Sequence, residues 1–164
     1  MRAMTSRRAR LALAMPTAIA AFLLAISGAL TPANAAGAYW QYVNGRSGTC
    51  LRAGIGGDPV VGTCSDVYSY WYWGTDTNTW NGHAMRRLVN AVSGDCLTSD
   101  YATGGDDVYM APCSADRSGQ FWTADDGHIQ NQNHLYMGTL PTGTGVYMAW
   151  EGSLSTFAWS GRVV

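Results

Sequence analysis

Lysine is missing from this 164-residue chain, glutamate occurs once, at Glu151, and histidine only at His83, His128 and His134. After the first 35 residues, six arginines face eleven acids, a net charge of −5 that makes nucleic acid and anionic lipid poor partners. A glycosidase normally holds two carboxyl groups about 5 to 9 Å apart. Here the aspartates sit mostly in turns, and the adjacent pairs Asp106-Asp107 and Asp125-Asp126 diverge as neighbours on a strand or turn. No Gly-x-Ser-x-Gly elbow is present for a serine hydrolase. The cysteines lack a C-x-x-C spacing, the histidines lack a helical metal spacing, and no EF-hand loop occurs, so neither a metal nor another cofactor is expected. No enzyme is expected either.

A helical stripe is also missing. Apolar residues come in short bursts rich in tryptophan, tyrosine, valine and threonine, interrupted every eight to twelve positions by turn-forming residues. The best turns are Asn44-Gly45, Gly56-Gly57-Asp58-Pro59, Asn81-Gly82, Gly104-Gly105-Asp106, Asp126-Gly127 and Gly143-Thr144-Gly145, which imply at least seven strands.

What the chain does have is a unit repeated three times. It reads Asn44-Gly-Arg-Ser-Gly-Thr-Cys50-Leu51, Cys64, Trp71-Tyr72-Trp73, and again Asn90-Ala-Val-Ser-Gly-Asp-Cys96-Leu97, Cys113, Gln120-Phe121-Trp122. A third copy lacks cysteines but repeats Val108-Tyr109-Met110-Ala111 as Val146-Tyr147-Met148-Ala149 and closes on Phe157-Ala158-Trp159, which sets Cys113 opposite Glu151. The repeats run from about 38 to 80, 81 to 125 and 126 to 164. Three units of four short strands make an all-β chain of about twelve strands, six of them closing a barrel and three hairpins capping it: a β-trefoil. Trp73, Trp122 and Trp159 are expected to meet near its pseudo-threefold axis.

Arg2, Arg7, Arg8 and Arg10 precede an apolar run from Leu11 to Leu30 and then Ala33-Asn34-Ala35, which reads as a secretory signal peptide over 1–35 and a single domain over 36–164. About 20 apolar residues can also span a bilayer; Pro16, Ser27, Gly28, Pro32 and the Ala-x-Ala triplet favour cleavage, with no membrane insertion afterwards. Ser6-Arg7-Arg8 resembles a twin-arginine signal, but Arg10 replaces its large apolar residue and favours general secretion. An extracellular protein keeps disulfides, and of three connectivities Cys50–Cys64 with Cys96–Cys113 closes each repeat on itself.

Ser-Gly-x-Cys-Leu, a second Cys after a Gly-rich stretch, and Gln-x-Trp resemble the ricin B-type β-trefoil lectin domain from Tyr39 to about Val163. The resemblance implies a shallow sugar pocket in each repeat: an aspartate two residues after the first Cys, an aromatic platform two before the second, and a polar residue adjoining Gln-x-Trp. A carboxylate binds sugar hydroxyls while a ring covers the apolar face of the pyranose. In this chain the aspartate positions hold Arg52, Thr98 and, in the third copy, Met137, and the platform positions hold Gly62, Ala111 and Ala149. The candidate substitutes are Asp100, Tyr101 and Tyr109 in the second repeat, Tyr147 and Trp150 in the third, and Gln120 as a polar partner.

Two functions follow. One is a secreted, non-catalytic, lectin-like module with degraded pockets that binds a glycan or polysaccharide. The other is a protein-interaction trefoil, such as an inhibitor, toxin subunit or enzyme-associated partner, that has lost sugar binding. Its surface would be Tyr68, Tyr70, Tyr72 and nearby Trp80, from an aromatic cluster that also holds Trp71 and Trp73; alternation places Trp71 and Trp73 on one face and Tyr70 and Tyr72 on the other.

Overall fold

The computed structural model describes residues 37–99, 107–150 and 153–164. The predicted signal peptide, the Gly104-Gly105-Asp106 turn and Glu151 lie outside the described residues.

Twelve strands are present among the described residues. They are β1 (Trp40–Asn44), β2 (Cys50–Ala53), β3 (Pro59–Gly62), β4 (Trp71–Trp80), β5 (His83–Asn90), β6 (Cys96–Ser99), β7 (Val108–Ala111), β8 (Phe121–Thr123), β9 (Gln130–Asn131), β10 (Tyr136–Thr139), β11 (Val146–Ala149) and β12 (Trp159–Val163). A single 3₁₀ turn precedes the last strand of each unit: Val67–Ser69, Ser118–Gln120 and Ser155–Phe157. All pairings are antiparallel, and β12 returns to β1 with Trp40 opposite Val163 and Asn44 opposite Trp159, which closes the barrel. Hairpins β2–β3, β6–β7 and β10–β11 form the cap, with Cys50, Cys96 and Tyr136 facing Gly62, Ala111 and Ala149. This is the expected β-trefoil, with Cys50–Cys64 and Cys96–Cys113 joined.

Threefold layers fill the interior. Tyr42, Leu88 and Ile129 lie two residues before Asn44, Asn90 and Asn131; Leu51, Leu97 and Met137 come from the first strand of each hairpin; and Trp71, Trp122 and Trp159 close the units, all at most 4% exposed. Each tryptophan donates its indole N–H to the hairpin carbonyl of its own unit: Trp71 to Leu51 (3.0 Å), Trp122 to Leu97 (2.7 Å) and Trp159 to Met137 (2.7 Å). The closing residue of the first unit is therefore Trp71, not Trp73. Both project from the same face of β4, but Trp73 lies one step nearer the barrel mouth and is only partly buried.

The corrected register aligns Ser69 with Gln120 and with Phe157. Gln120 holds its hairpin by donating to Thr98 Oγ1 (3.1 Å) and the Pro112 carbonyl (3.0 Å). Ser69 is too short to do this, and Gln41 on β1 supplies the amide instead, donating to the Cys64 carbonyl (2.5 Å) and Ser69 Oγ (2.6 Å).

Asparagines tie the units together. Asn44 Nδ2 donates to the Thr156 carbonyl (2.8 Å), Asn90 Nδ2 to that of Tyr68 (2.8 Å), and Asn131 Nδ2 to Ser99 Oγ (3.2 Å). The Asn44 and Asn90 side-chain oxygens accept from the backbone of their own turns, so glycine-rich segments that cannot hold themselves are fixed at both ends.

Alternation on β4 sends Tyr72 away from Trp71 and Trp73, but Tyr70 and Tyr72 are half-buried, not exposed, and Tyr39 packs edge-on against Tyr72. Tyr68 (37%) and Trp80 (44%) are the exposed members of the cluster. Trp80 flanks the tight Asn81-Gly82 turn, where both φ values are positive (45° and 83°), the conformation a two-residue hairpin of this kind demands.

Candidate functional site

Each cap hairpin presents an outer face to the 3₁₀ turn of its own unit, and this is where the resemblance places its pockets. The facing residues are Arg52, Val60 and Gly62 in the first unit, Thr98, Tyr109 and Ala111 in the second, and Gly138, Tyr147 and Ala149 in the third. The aspartate position of the third unit is thus Gly138; Met137 points into the core. The sequence comparison missed this by one residue because the third copy has no cysteine to anchor it.

The first cleft is filled from within. Arg52 lies across Gly62 and forms an ion pair with Asp66, the N-cap of the first 3₁₀ turn, whose other carboxylate oxygen accepts from the Tyr68 N–H (2.9 Å). A guanidinium stands at the position where the resemblance implies a carboxylate, and it takes the nearest acid for itself.

The third cleft is also filled. Phe157 stands where the second unit has Gln120, 2% exposed, against Gly138 and edge-on to Tyr147 at 5.5 Å. A Cβ on Gly138 would come within 2.5 Å of the Phe157 ring. Gly138→Ala is therefore expected to cost about 1–3 kcal/mol, the usual range for forced overpacking, measured as a lowered urea midpoint at unchanged slope. Tyr147 is engaged with Phe157, whereas Trp150 stands 63% exposed beyond the end of β11.

Among the described residues, the second face is the one that borders a cavity. A cavity of about 270 Å³ lies between the β6–β7 hairpin and the second 3₁₀ turn, lined by Thr98, Tyr109, Asp116, Arg117 and Ser118 among others. Tyr109 supplies a half-buried ring on one side, and Asp116 and Arg117 are exposed on the other. Gln120 is fully buried beneath, its oxygen accepting from the Ser114 N–H (2.9 Å); it shapes the wall and is not available for direct ligand contact. Asp116, Arg117 and Ser118 were not singled out from the sequence, although their position just before Gln-x-Trp marks them as the loop facing the hairpin. Asp100 and Tyr101, which follow β6 directly, lie outside the described residues.

No cluster of three metal-ligating side chains occurs among the described residues. His83 Nδ1 lies 3.2 Å from an Asp125 oxygen, His128 packs edge-on to Tyr136, and His134 contacts the Asn81 amide.

Neither a protein-family profile nor a curated protein matches the chain. Solved structures do. A designed threefold-symmetric protein, ThreeFoil, is similar with a TM-score of 0.62 and 17% identity, over 77% of this chain and 99% of that one. The C-terminal half of an earthworm R-type lectin, crystallised with GalNAc, is similar with a TM-score of 0.58 and 8% identity, over 77% and 99%. A Clostridium perfringens endo-β-galactosidase that releases GlcNAcα1-4Gal is similar with a TM-score of 0.61 and 14% identity, over 77% of this chain but 32% of the enzyme.

Proposed function

We propose that this chain, whose fold is the β-trefoil of the ricin B-type lectins, is a secreted, non-catalytic carbohydrate-binding protein that takes its glycan in the cleft of the second repeat. The observation that carries the reading is the contrast among three equivalent faces. One is closed by Arg52 and Asp66, one is packed by Phe157 and Tyr147, and one retains a cavity beside an aromatic ring. In that cleft the Tyr109 ring stacks on the sugar, while Asp116, Arg117, Ser118 and Thr98 offer acceptors and donors to its hydroxyls. Among the described residues Asp116 is the one carboxylate lining the cavity, and glycosidic cleavage normally needs two.

A glycan array probed with the oxidised protein tests this. Affinity is expected in the millimolar range, and Tyr109→Ala should weaken it about tenfold, since one stacking platform contributes on the order of 1.5 kcal/mol. Binding that survives Tyr109→Ala but disappears in Trp150→Ala would move the site to the third repeat.

The protein-interaction reading draws on a different feature, the long β4–β5 hairpin that carries Trp80, 44% exposed, to its tip. Exposed tryptophan and tyrosine favour protein contacts. A blank array together with a partner co-purifying from culture fluid, lost on Trp80→Ala, would favour it.

A further inference from the structure

The barrel mouth, opposite the hairpin cap, holds a second cavity of about 270 Å³. It is built by the inward faces of the barrel strands. One step below the closed layers of Tyr42, Leu88, Trp122 and Trp159, alternation brings Trp40, Arg86, Ala124 and Gly161 to the same side, and Trp73 follows Trp71 there. Trp40 stacks along Tyr42 with centroids 6.4 Å apart and planes 14° apart, and Trp73 meets Tyr42 edge-on at 6.3 Å and 83°. The two tryptophans form an aromatic corner with Tyr42 at its base. Gly161 is what makes room: a Cβ there would approach Tyr42 Cε1 to 3.1 Å and Trp40 Cε3 to 3.3 Å.

Into this corner the inward face of β5 places an arginine. Its neighbour in sequence, Arg87, points to the other face and is already engaged there. It pairs with Asp76, donates to the Ser114 carbonyl (2.7 Å) and lies 4.9 Å from the centre of the Phe121 ring. Arg86 has no ion pair among the described residues. The acid on the same rim, Asp125, has its Oδ2 engaged by Thr123 Oγ1 (2.5 Å) and His83 Nδ1 (3.2 Å), which leaves Oδ1 as the oxygen that faces a ligand. A guanidinium presents a rigid fork of donors that matches a carboxylate in bidentate fashion, and ring faces beside it favour a flat or saturated six-membered ring.

We propose that the barrel mouth binds a small monocyclic carboxylic acid, its ring held between Trp40 and Trp73, its carboxylate on Arg86, and a hydroxyl donating to Asp125. The cavity admits one ring, slightly under the usual range for small-ligand sites of about 300–1,000 Å³. Such an acid has two sources, the uronic-acid end of a polysaccharide or a free aromatic acid, and these share the chemistry that the site reads.

The test is an NMR titration of the indole N–H resonances of the oxidised protein with D-glucuronate and, separately, 4-hydroxybenzoate. At least one acid is expected to shift the Trp40 and Trp73 signals saturably in the millimolar range. Its methyl ester should bind about tenfold more weakly or worse, as should the acid to Arg86→Gln, because each removes a charge-assisted bidentate contact. Response to glucuronate alone identifies an acidic sugar, and response to 4-hydroxybenzoate alone an aromatic acid. Silence from both at about 20 mM, shifts that exclude Trp40 and Trp73, or an ester that binds as tightly as its acid would overturn the proposal. The ester comparison stands even if the substituted protein folds poorly.

Discussion

Trp71→Ala is expected to lower the unfolding free energy by about 3–5 kcal/mol, the cost of emptying a fully buried tryptophan site, and Trp73→Ala by no more than about half of that. The two residues differ in place, not in chemistry. Trp71 is 0% exposed and carries the bond to the Leu51 carbonyl, which its removal leaves buried and unpaired. Trp73 stands at the mouth with one side open to a cavity. Urea titrations of both variants at constant slope check this directly. Equal costs would return Trp73 to the closing layer and break the threefold register with Trp122 and Trp159.

The second large effect lies with the disulfides. Cys50–Cys64 and Cys96–Cys113 span separations of 14 and 17 residues, and the chain-entropy relation assigns about 3 kcal/mol to each. Losing both removes about 6 kcal/mol from a domain whose class totals only about 5–15. Reduction is therefore expected to leave a marginal fold at 37 °C. Cys113 is exposed and Cys64 half-buried, so Cys96–Cys113 should open first. Thermal scans with and without dithiothreitol measure the loss, and a change equivalent to less than about 1 kcal/mol would contradict the entropic account. The third hairpin has no crosslink; there Phe157 against Gly138 and Tyr147 supplies the attachment.

The twelve-strand pattern was legible because the cysteines, glycines and tryptophans recur at matching offsets, and each offset corresponds to one hairpin. Errors arose where that marking failed. Trp71-Tyr72-Trp73 has two tryptophans of equal parity, so alternation places both inside without saying which one reaches its hairpin carbonyl. The missing Gln of that unit is replaced by Gln41, 28 residues before Ser69, a substitution that local reading cannot find. Closure of the first cleft by Arg52 and Asp66, and of the third by Phe157, depends on contacts across a unit. The exposure of Trp150 was readable from the polar residues that follow it, whereas Gln120, offered as a polar partner for a sugar, is buried inside its motif. In Ala84-Met85-Arg86-Arg87-Leu88, by contrast, nothing local distinguishes the arginine that faces the barrel from the one neutralised outside it.

The asparagine ties have a topological consequence. Asn90 holds the first unit to the second, Asn131 the second to the third, and Asn44 the third back to the first, while β1 and β12 lie paired and the Val164 N–H reaches the Tyr39 carbonyl at 2.9 Å. From Tyr39 to Val164 the polypeptide is a ring that lacks only a short turn of about two residues to close it, and no unit in it is first. Joining those ends and cutting instead at Asn81-Gly82 would leave every tie intact, so the permuted molecule would keep its equilibrium architecture and differ only in the order in which its loops close.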